Sequence, residues 1–141
     1  MKKLLLILLL IIPLTGFAQR VYTDTLTVET DTIIKFRIFD PNFLVGWYAY
    51  ADTLEGTLDG TVEFVVADDL SENGYPSDPA TIADSLFVLY NPGLRDTLDA
   101  VGPYGFKFNS VPFDYGGIKF TVNNTTKWFI PYKLITKSQN Q

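Results

Sequence analysis

Apolar and polar residues alternate with a period of two along much of this chain, which favours β-strands with one buried face over helices. The alternation is clear in residues 34–38, 61–66 and 118–123. No segment shows a sustained helical period, and residues 77–83 have room for one helical turn at most. The sequence therefore predicts an all-β fold.

Other segments are almost continuously apolar: Phe43 to Ala51, Ser85 to Tyr90 and Trp128 to Ile135. They are rich in aromatic and β-branched residues, so we expect strands that are covered on both faces. A more polar first strand is expected over about Tyr22 to Glu29.

Turn-forming residues separate these segments, and the spacing gives about eight strands. This pattern is typical of an antiparallel β-sandwich or jelly roll. The predicted turns are Asp40-Pro41-Asn42, Asn73-Gly74, Asn91-Pro92-Gly93, Gly102-Pro103, Gly116-Gly117 and Asn123-Asn124.

The first eighteen residues, MKKLLLILLLIIPLTGFA, have the features of a secretory signal peptide. Two lysines precede the apolar run Leu4 to Ile12, and small residues lie just before Gln19. A bilayer-spanning helix needs about 20 apolar residues, and this run is shorter. We therefore expect a secreted or periplasmic protein with one β-sandwich domain over residues 19–141 and no stable membrane insertion after cleavage.

The chain contains no cysteine and no histidine. These absences exclude disulfides, a Ser-His-Asp triad and soft zinc or copper sites. Loss of Lys2 and Lys3 with the leader would lower the basic count from 11 to 9 against 16 acidic residues, a net charge of −7. Such a charge disfavours binding to nucleic acid, which is supported by basic patches.

Residues 68–79, DDLSENGYPSDP, contain a candidate calcium loop. Asp69, Ser71 and Asn73 alternate ahead of Gly74, as oxygen ligands do in the first half of an EF-hand loop. The twelfth position, where a bidentate carboxylate is needed, is Ala80.

Asp78 and Asp84 lie on either side of that position and would reach a calcium ion only along a different loop path. A polar turn explains the same residues, because Asn-Gly is a strong hairpin signal and Asp and Ser bind loop amides. We therefore expect no cofactor, with calcium as the alternative.

The aromatic residues suggest a second kind of site. Tyrosine, tryptophan and phenylalanine number 8, 2 and 11, enough for a flat platform on which a sugar ring stacks. Exposed aromatic residues also mark protein interfaces, and buried ones form sandwich cores. Trp47, Phe64, Phe120 and Trp128 lie on the apolar phase of their strands and are expected in the core. The candidate ligand-binding residues are Tyr48, Tyr50, Tyr104 and Tyr115.

Catalytic carboxylates would have to face each other across a cleft in a glycosidase. The aspartates instead recur in Asp-Thr pairs, a pattern typical of solvated strand edges and turns. No two of them are singled out, so the sequence predicts that the protein is not an enzyme. The pairs are Asp24-Thr25, Asp31-Thr32, Asp52-Thr53 and Asp96-Thr97.

Residues 46–69 combine an aromatic strand, the motif Gly-Thr-x-x-Gly-Thr-Val and an alternating strand that runs into a polar loop. Together with the closing strand in residues 118–137, this arrangement resembles small β-sandwich virion proteins of tailed bacteriophages. The loop after the second matching strand is longer here than in those proteins, and the leader is a further departure. The resemblance implies a structural role in self-association or decoration of a particle.

The sequence thus predicts an exported, non-enzymatic β-sandwich that acts in binding or assembly. Its expected partner is a protein or glycan ligand or a second copy of the chain. A phage virion structural protein and a carbohydrate-binding module are the alternatives. The polar first strand is a candidate edge that pairs with a neighbouring chain.

Overall fold

A computed structural model describes residues 19–38, 43–68, 78–109, 111–124 and 127–138. The predicted leader and the predicted turns at 40–42 and 73–74 lie outside these residues. The described residues form nine strands: β1 (Gln19–Val28), β2 (Thr32–Arg37), β3 (Phe43–Glu55), β4 (Gly60–Ala67), β5 (Val88–Leu89), β6 (Arg95–Leu98), β7 (Gly102–Asn109), β8 (Tyr115–Val122) and β9 (Lys127–Ser138).

The strands form two antiparallel sheets, as the alternation predicts. The first sheet has the order β1-β9-β3-β7, and the second has the order β2-β8-β4-β5. The short strand β6 also pairs with β4. The all-β sandwich prediction is confirmed.

The core lies between the two sheets. The ring of Trp47 on β3 stacks on Phe106 at a centroid distance of 5.8 Å and meets Phe120 of the second sheet edge-on, also at 5.8 Å. Phe64 and Trp128 are fully buried in the same cluster. The core positions predicted for both tryptophans and both phenylalanines are therefore confirmed.

A second apolar cluster covers the outer face of the second sheet. Val65, Ala67 and Tyr115 point away from the main core and pack against Ile82 and Phe87 of the segment 78–90. The segment contains the short 3₁₀ turns Pro79–Thr81 and Asp84–Leu86. The first of them lies within residues 77–83, where the sequence has room for one helical turn at most.

Lys35 on β2 holds this covering segment in place. Its ammonium donates a hydrogen bond to the Ile82 carbonyl at 2.5 Å and pairs with the Asp84 carboxylate at 2.6 Å. It also lies 5.6 Å from the centroid of the Phe87 ring, within the range of a cation–π interaction. The outer face of the second sheet is thus closed by packing and by charge.

The burial of individual strands corrects the sequence prediction. β4 was expected to be half-buried, yet it is buried without interruption from Val62 to Ala67. The segment 78–90 covers Val65 and Ala67 on its outer side, and Glu63 forms an ion pair with Arg95 of β6. β3 and β9 were expected to be covered on both faces. Instead they expose Tyr48, Tyr50 and Phe129.

Two predicted turns are wrong. Gly102-Pro103 begins β7, an edge strand, where proline is tolerated. Gly116-Gly117 lies within β8, where a Cβ at Gly116 would come within 2.6 Å of the Phe36 ring. Glycine is needed there for close packing with a neighbouring strand, so the pair does not form a turn.

The stretch 85–90 is also different from its prediction. It begins within a 3₁₀ turn and contributes only the two-residue strand β5, whose Val88 is exposed. The turn at 91–93 is confirmed, with the Asn91 side chain accepting a hydrogen bond from the Gly93 amide at 2.9 Å. The turn at 123–124 joins β8 to β9, as expected.

Candidate binding face

The proposed calcium ligands Asp69, Ser71 and Asn73 lie outside the described residues. The two flanking carboxylates are described, and both have structural partners. Asp78 accepts a hydrogen bond from the Ala80 amide at 3.0 Å, and Asp84 pairs with Lys35. Within the described ranges, no group of three or more acidic residues is arranged to hold a metal ion.

The four candidate tyrosines separate into two classes. Tyr48 and Tyr50 are 46% and 49% exposed and point outward from β3. Tyr104 packs against the core, and its hydroxyl donates to the Ala100 carbonyl at 2.6 Å. Tyr115 is 0% exposed, which corrects its assignment as a ligand-binding residue, because the covering segment 78–90 encloses its side chain. Tyr48 and Tyr50 therefore remain the candidates for an aromatic platform.

The ring of Tyr48 lies over two glycines. A Cβ added at Gly46 would be 3.0 Å from Cε2 of Tyr48. Gly105 lies opposite Tyr48 on β7, and a Cβ added there would be 3.1 Å from Cδ1 of Tyr48. The ring thus fills the space that side chains at both positions would take. Aromatic cover of this kind protects sheet glycines and restricts the ring.

Pro131 interrupts the pairing of β3 with β9 beside Tyr50. The register is regular up to Ala49 and resumes at Asp52. Proline has no N–H to donate, so the Tyr50 carbonyl, which faces Pro131 in this register, lacks its usual hydrogen bond from β9. A proline in a central strand is rare for this reason, and here it leaves an acceptor open next to an exposed tyrosine.

A shallow depression of about 540 Å³ lies over this interruption. Tyr48 and Tyr50 of β3 border it on one side, Thr23 and Thr25 of β1 on the other, and Lys133 of β9 lies between them. Sequence reasoning missed the residues from β1 and β9, because strand pairing brings them next to β3. Proline in a strand and glycine two residues before an exposed tyrosine are the local features that point to the site.

The Asp-Thr pairs lie at sheet edges, as the sequence predicts. In three of them the Asp Oδ1 accepts a hydrogen bond from the amide of the following threonine: Asp24 with Thr25 at 2.7 Å, Asp52 with Thr53 at 2.7 Å and Asp96 with Thr97 at 2.9 Å. β1 ends the first sheet, β6 pairs with β4 alone, and Thr53 lies beyond the last pairing of β3 with β7.

Asp31 acts similarly across the second sheet, where its Oδ1 accepts a hydrogen bond from the Val122 amide at 2.9 Å. These carboxylates bind amides that an added strand would otherwise use, a common protection of sheet edges. The edge position predicted for β1 is confirmed. Asp24 protects the middle of that edge, which disfavours its pairing with a neighbouring chain.

Tyr132 on β9 lies beneath the depression, and the pKa of its phenol is raised. Burial raises the pKa of its phenol above the usual value of 10.0, and the negative charge of Asp24, opposite on β1, raises this pKa further. The folded protein therefore holds this proton to higher pH than the unfolded chain, so part of its stability is lost as pH rises from about 10 through the folded-state pKa.

We expect Tyr132→Phe to reduce this alkaline loss of stability. Urea unfolding between about pH 8 and about pH 11 measures it as the fall in the free energy of unfolding. The wild type is measured alongside, and equal pH dependence in the two proteins would contradict the account.

Comparisons with known proteins give a distant structural likeness. No protein-family model matches the chain, and no curated protein matches it. A solved structure described as "Bacillus endospore appendages form a novel family of disulfide-linked pili" is similar over 85% of this chain and 89% of that chain. The identity is 11% and the TM-score 0.41, too distant to transfer a property from that protein.

The described part of the chain also contains no helix with the length and apolar character required to span a membrane.

Proposed function

We propose that this protein is an exported, non-enzymatic β-sandwich domain that binds or assembles through the outer face of its first sheet. The observation that carries the proposal is the difference between the two sheets. The second sheet has its outer side covered by the segment 78–90, whereas the first sheet exposes the tyrosines of β3.

The exposed apolar residues of the first sheet form neighbouring rows. Tyr48 lies opposite Lys133 on one side and Gly105 on the other. Phe129 of β9 is also exposed and lies opposite Asp52 of β3, on the same face as Tyr48 and Tyr50. Single exposed apolar residues are ordinary, but aromatic rings grouped on one face are typical of interaction surfaces.

The structural roles of the aspartates support a non-enzymatic function. Three of them bind the amide of the next residue, and Asp31 binds an amide of β8. Their position follows from protection of the sheet edges and requires no catalytic role. A place in a phage particle is implied by the sequence resemblance alone and stays a prediction.

Replacement of both exposed tyrosines tests the proposal. We expect Tyr48→Ala with Tyr50→Ala to weaken association by about 30-fold or more, because a central aromatic contact contributes about 2 kcal/mol to binding. Sedimentation velocity measures association between copies. Retention on extracellular material from the source organism measures association with other partners.

Tyr22 supplies a matched control, since it is 50% exposed and lies opposite Leu134, whose side chain points into the core. Residues directly opposite each other on paired strands point to the same face, so the Tyr22 side chain lies on the inner face of the first sheet, away from Tyr48 and Tyr50. Tyr22→Ala should leave association unchanged. Weaker association in Tyr22→Ala but not in the double variant would contradict the proposed face.

A further inference from the structure

We propose that the depression beside Tyr48 and Tyr50 binds an acidic oligosaccharide, a short chain of sugars that carry carboxylates. This inference rests on the proposed function and names the ligand class of the same face. The depression has the size of a small-ligand site but is shallow and open, so it fits a chain that lies along the surface.

The aromatic part of the site matches the apolar face of a sugar ring. The Tyr48 ring is held over Gly46 and Gly105, so little of its freedom is lost on binding. Tyr50 follows on the same side of β3 and is exposed to a similar degree. Two neighbouring rings on one strand allow consecutive sugars to make contact.

The polar part of the site matches sugar hydroxyls. The Tyr50 carbonyl faces Pro131, which has no N–H, and is an open acceptor for a hydroxyl donor. Thr23 and Thr25 border the depression from β1, and their hydroxyl groups both donate and accept. A purely apolar partner would leave these groups without hydrogen bonds, at a cost in binding free energy.

The charge of the site indicates carboxylates on the sugar. Lys133 lies directly opposite Tyr48 on β9, and Lys107 lies opposite Gly46 on β7. Asp24 also borders the depression, but it lies opposite Tyr132, so its charged side chain is on the other face of the sheet from Thr23 and Lys133. Lys133 lines the depression, and Lys107 lies close by on the same face of the sheet, on a protein that is acidic as a whole, with a net charge of −5.

The test is calorimetric titration of the soluble protein with oligosaccharides of defined length. The probes are hexamers of galacturonic acid and of mannuronic acid, with cellohexaose as the uncharged comparison. We expect at least one acidic hexamer to bind about tenfold or more tightly than cellohexaose, with affinity that falls as salt is added.

Variants locate the interaction. Tyr48→Ala and Lys133→Gln should each weaken binding of the acidic hexamer about tenfold, and Lys133→Gln should also reduce the salt dependence. Tyr22→Ala is the control and should bind like the wild type. All three changed residues are exposed, so thermal melting should show that each variant is folded.

The inference is overturned if neither acidic hexamer binds, or if cellohexaose binds as tightly and Lys133→Gln changes nothing. If no oligosaccharide binds while the two tyrosines still control association, the ligand class is wrong and the proposed face stands. If changes at Tyr48 and Tyr50 affect neither kind of binding, both proposals fail.

Discussion

Gly60→Ala is expected to destabilise the protein by about 3 kcal/mol or more, or to prevent folding. Gly60 begins β4 and pairs with β8 on one side and β6 on the other. A Cβ there would lie 2.1 Å from the Thr121 carbonyl oxygen and 2.5 Å from Cη2 of Trp128. The first contact is with backbone, which a rotamer change does not relieve.

Gly102 offers a matched control for this substitution. It also begins a strand, but a Cβ there meets nothing within 4 Å. Gly102→Ala should therefore change the free energy of unfolding by less than about 0.5 kcal/mol, or stabilise the protein slightly by restricting the unfolded chain. Urea unfolding of the two variants compares them directly, and equal effects would contradict the packing described around Gly60.

The two buried tryptophans should respond differently to replacement by phenylalanine. Trp128 Nε1 donates a hydrogen bond to the Thr57 carbonyl at 3.3 Å. Trp47 Nε1 is buried and has no hydrogen-bond partner within the described residues. Trp128→Phe loses packing and a hydrogen bond, whereas Trp47→Phe loses packing but removes a buried donor that costs about 1–3 kcal/mol when unsatisfied.

We therefore expect Trp128→Phe to be the more destabilising variant by about 2 kcal/mol. Denaturant unfolding at neutral pH measures the difference, and each variant serves as the other's control for the lost apolar volume. A Trp47→Phe variant that is as unstable as Trp128→Phe would show that the Trp47 indole makes a stabilising contact through its N–H.

Much of the fold follows from local pattern in the sequence. Alternation places Trp47, Phe64 and Phe120 on inward faces, and all three are buried in the sandwich. The position of β7 was not predicted, because Gly102-Pro103 at its start has the composition of a turn. Proline is compatible with β7 only because that strand lies at an edge of the sheet, which depends on long-range pairing.

The site is less predictable than the fold because it depends on covering segments and strand order. The sequence makes both Tyr48 and Tyr115 candidate ligand-binding residues. Only Tyr115 lies beneath the segment 78–90 and is buried. Lys133 joins Tyr48 through the register of β3 with β9. These contacts link parts of the chain that are far apart in sequence, so local pattern does not reveal them.

The central claim is that the outer face of the first sheet is the surface through which the protein binds. Hydroxyl-radical footprinting tests it most directly, with the oxidation rates of Tyr48, Tyr50 and Tyr22 compared between the purified protein and the protein bound to extracellular material from its source. We predict that Tyr48 and Tyr50 become protected while Tyr22 oxidises at an unchanged rate. Unchanged oxidation of Tyr48 and Tyr50 in the bound protein would contradict the account.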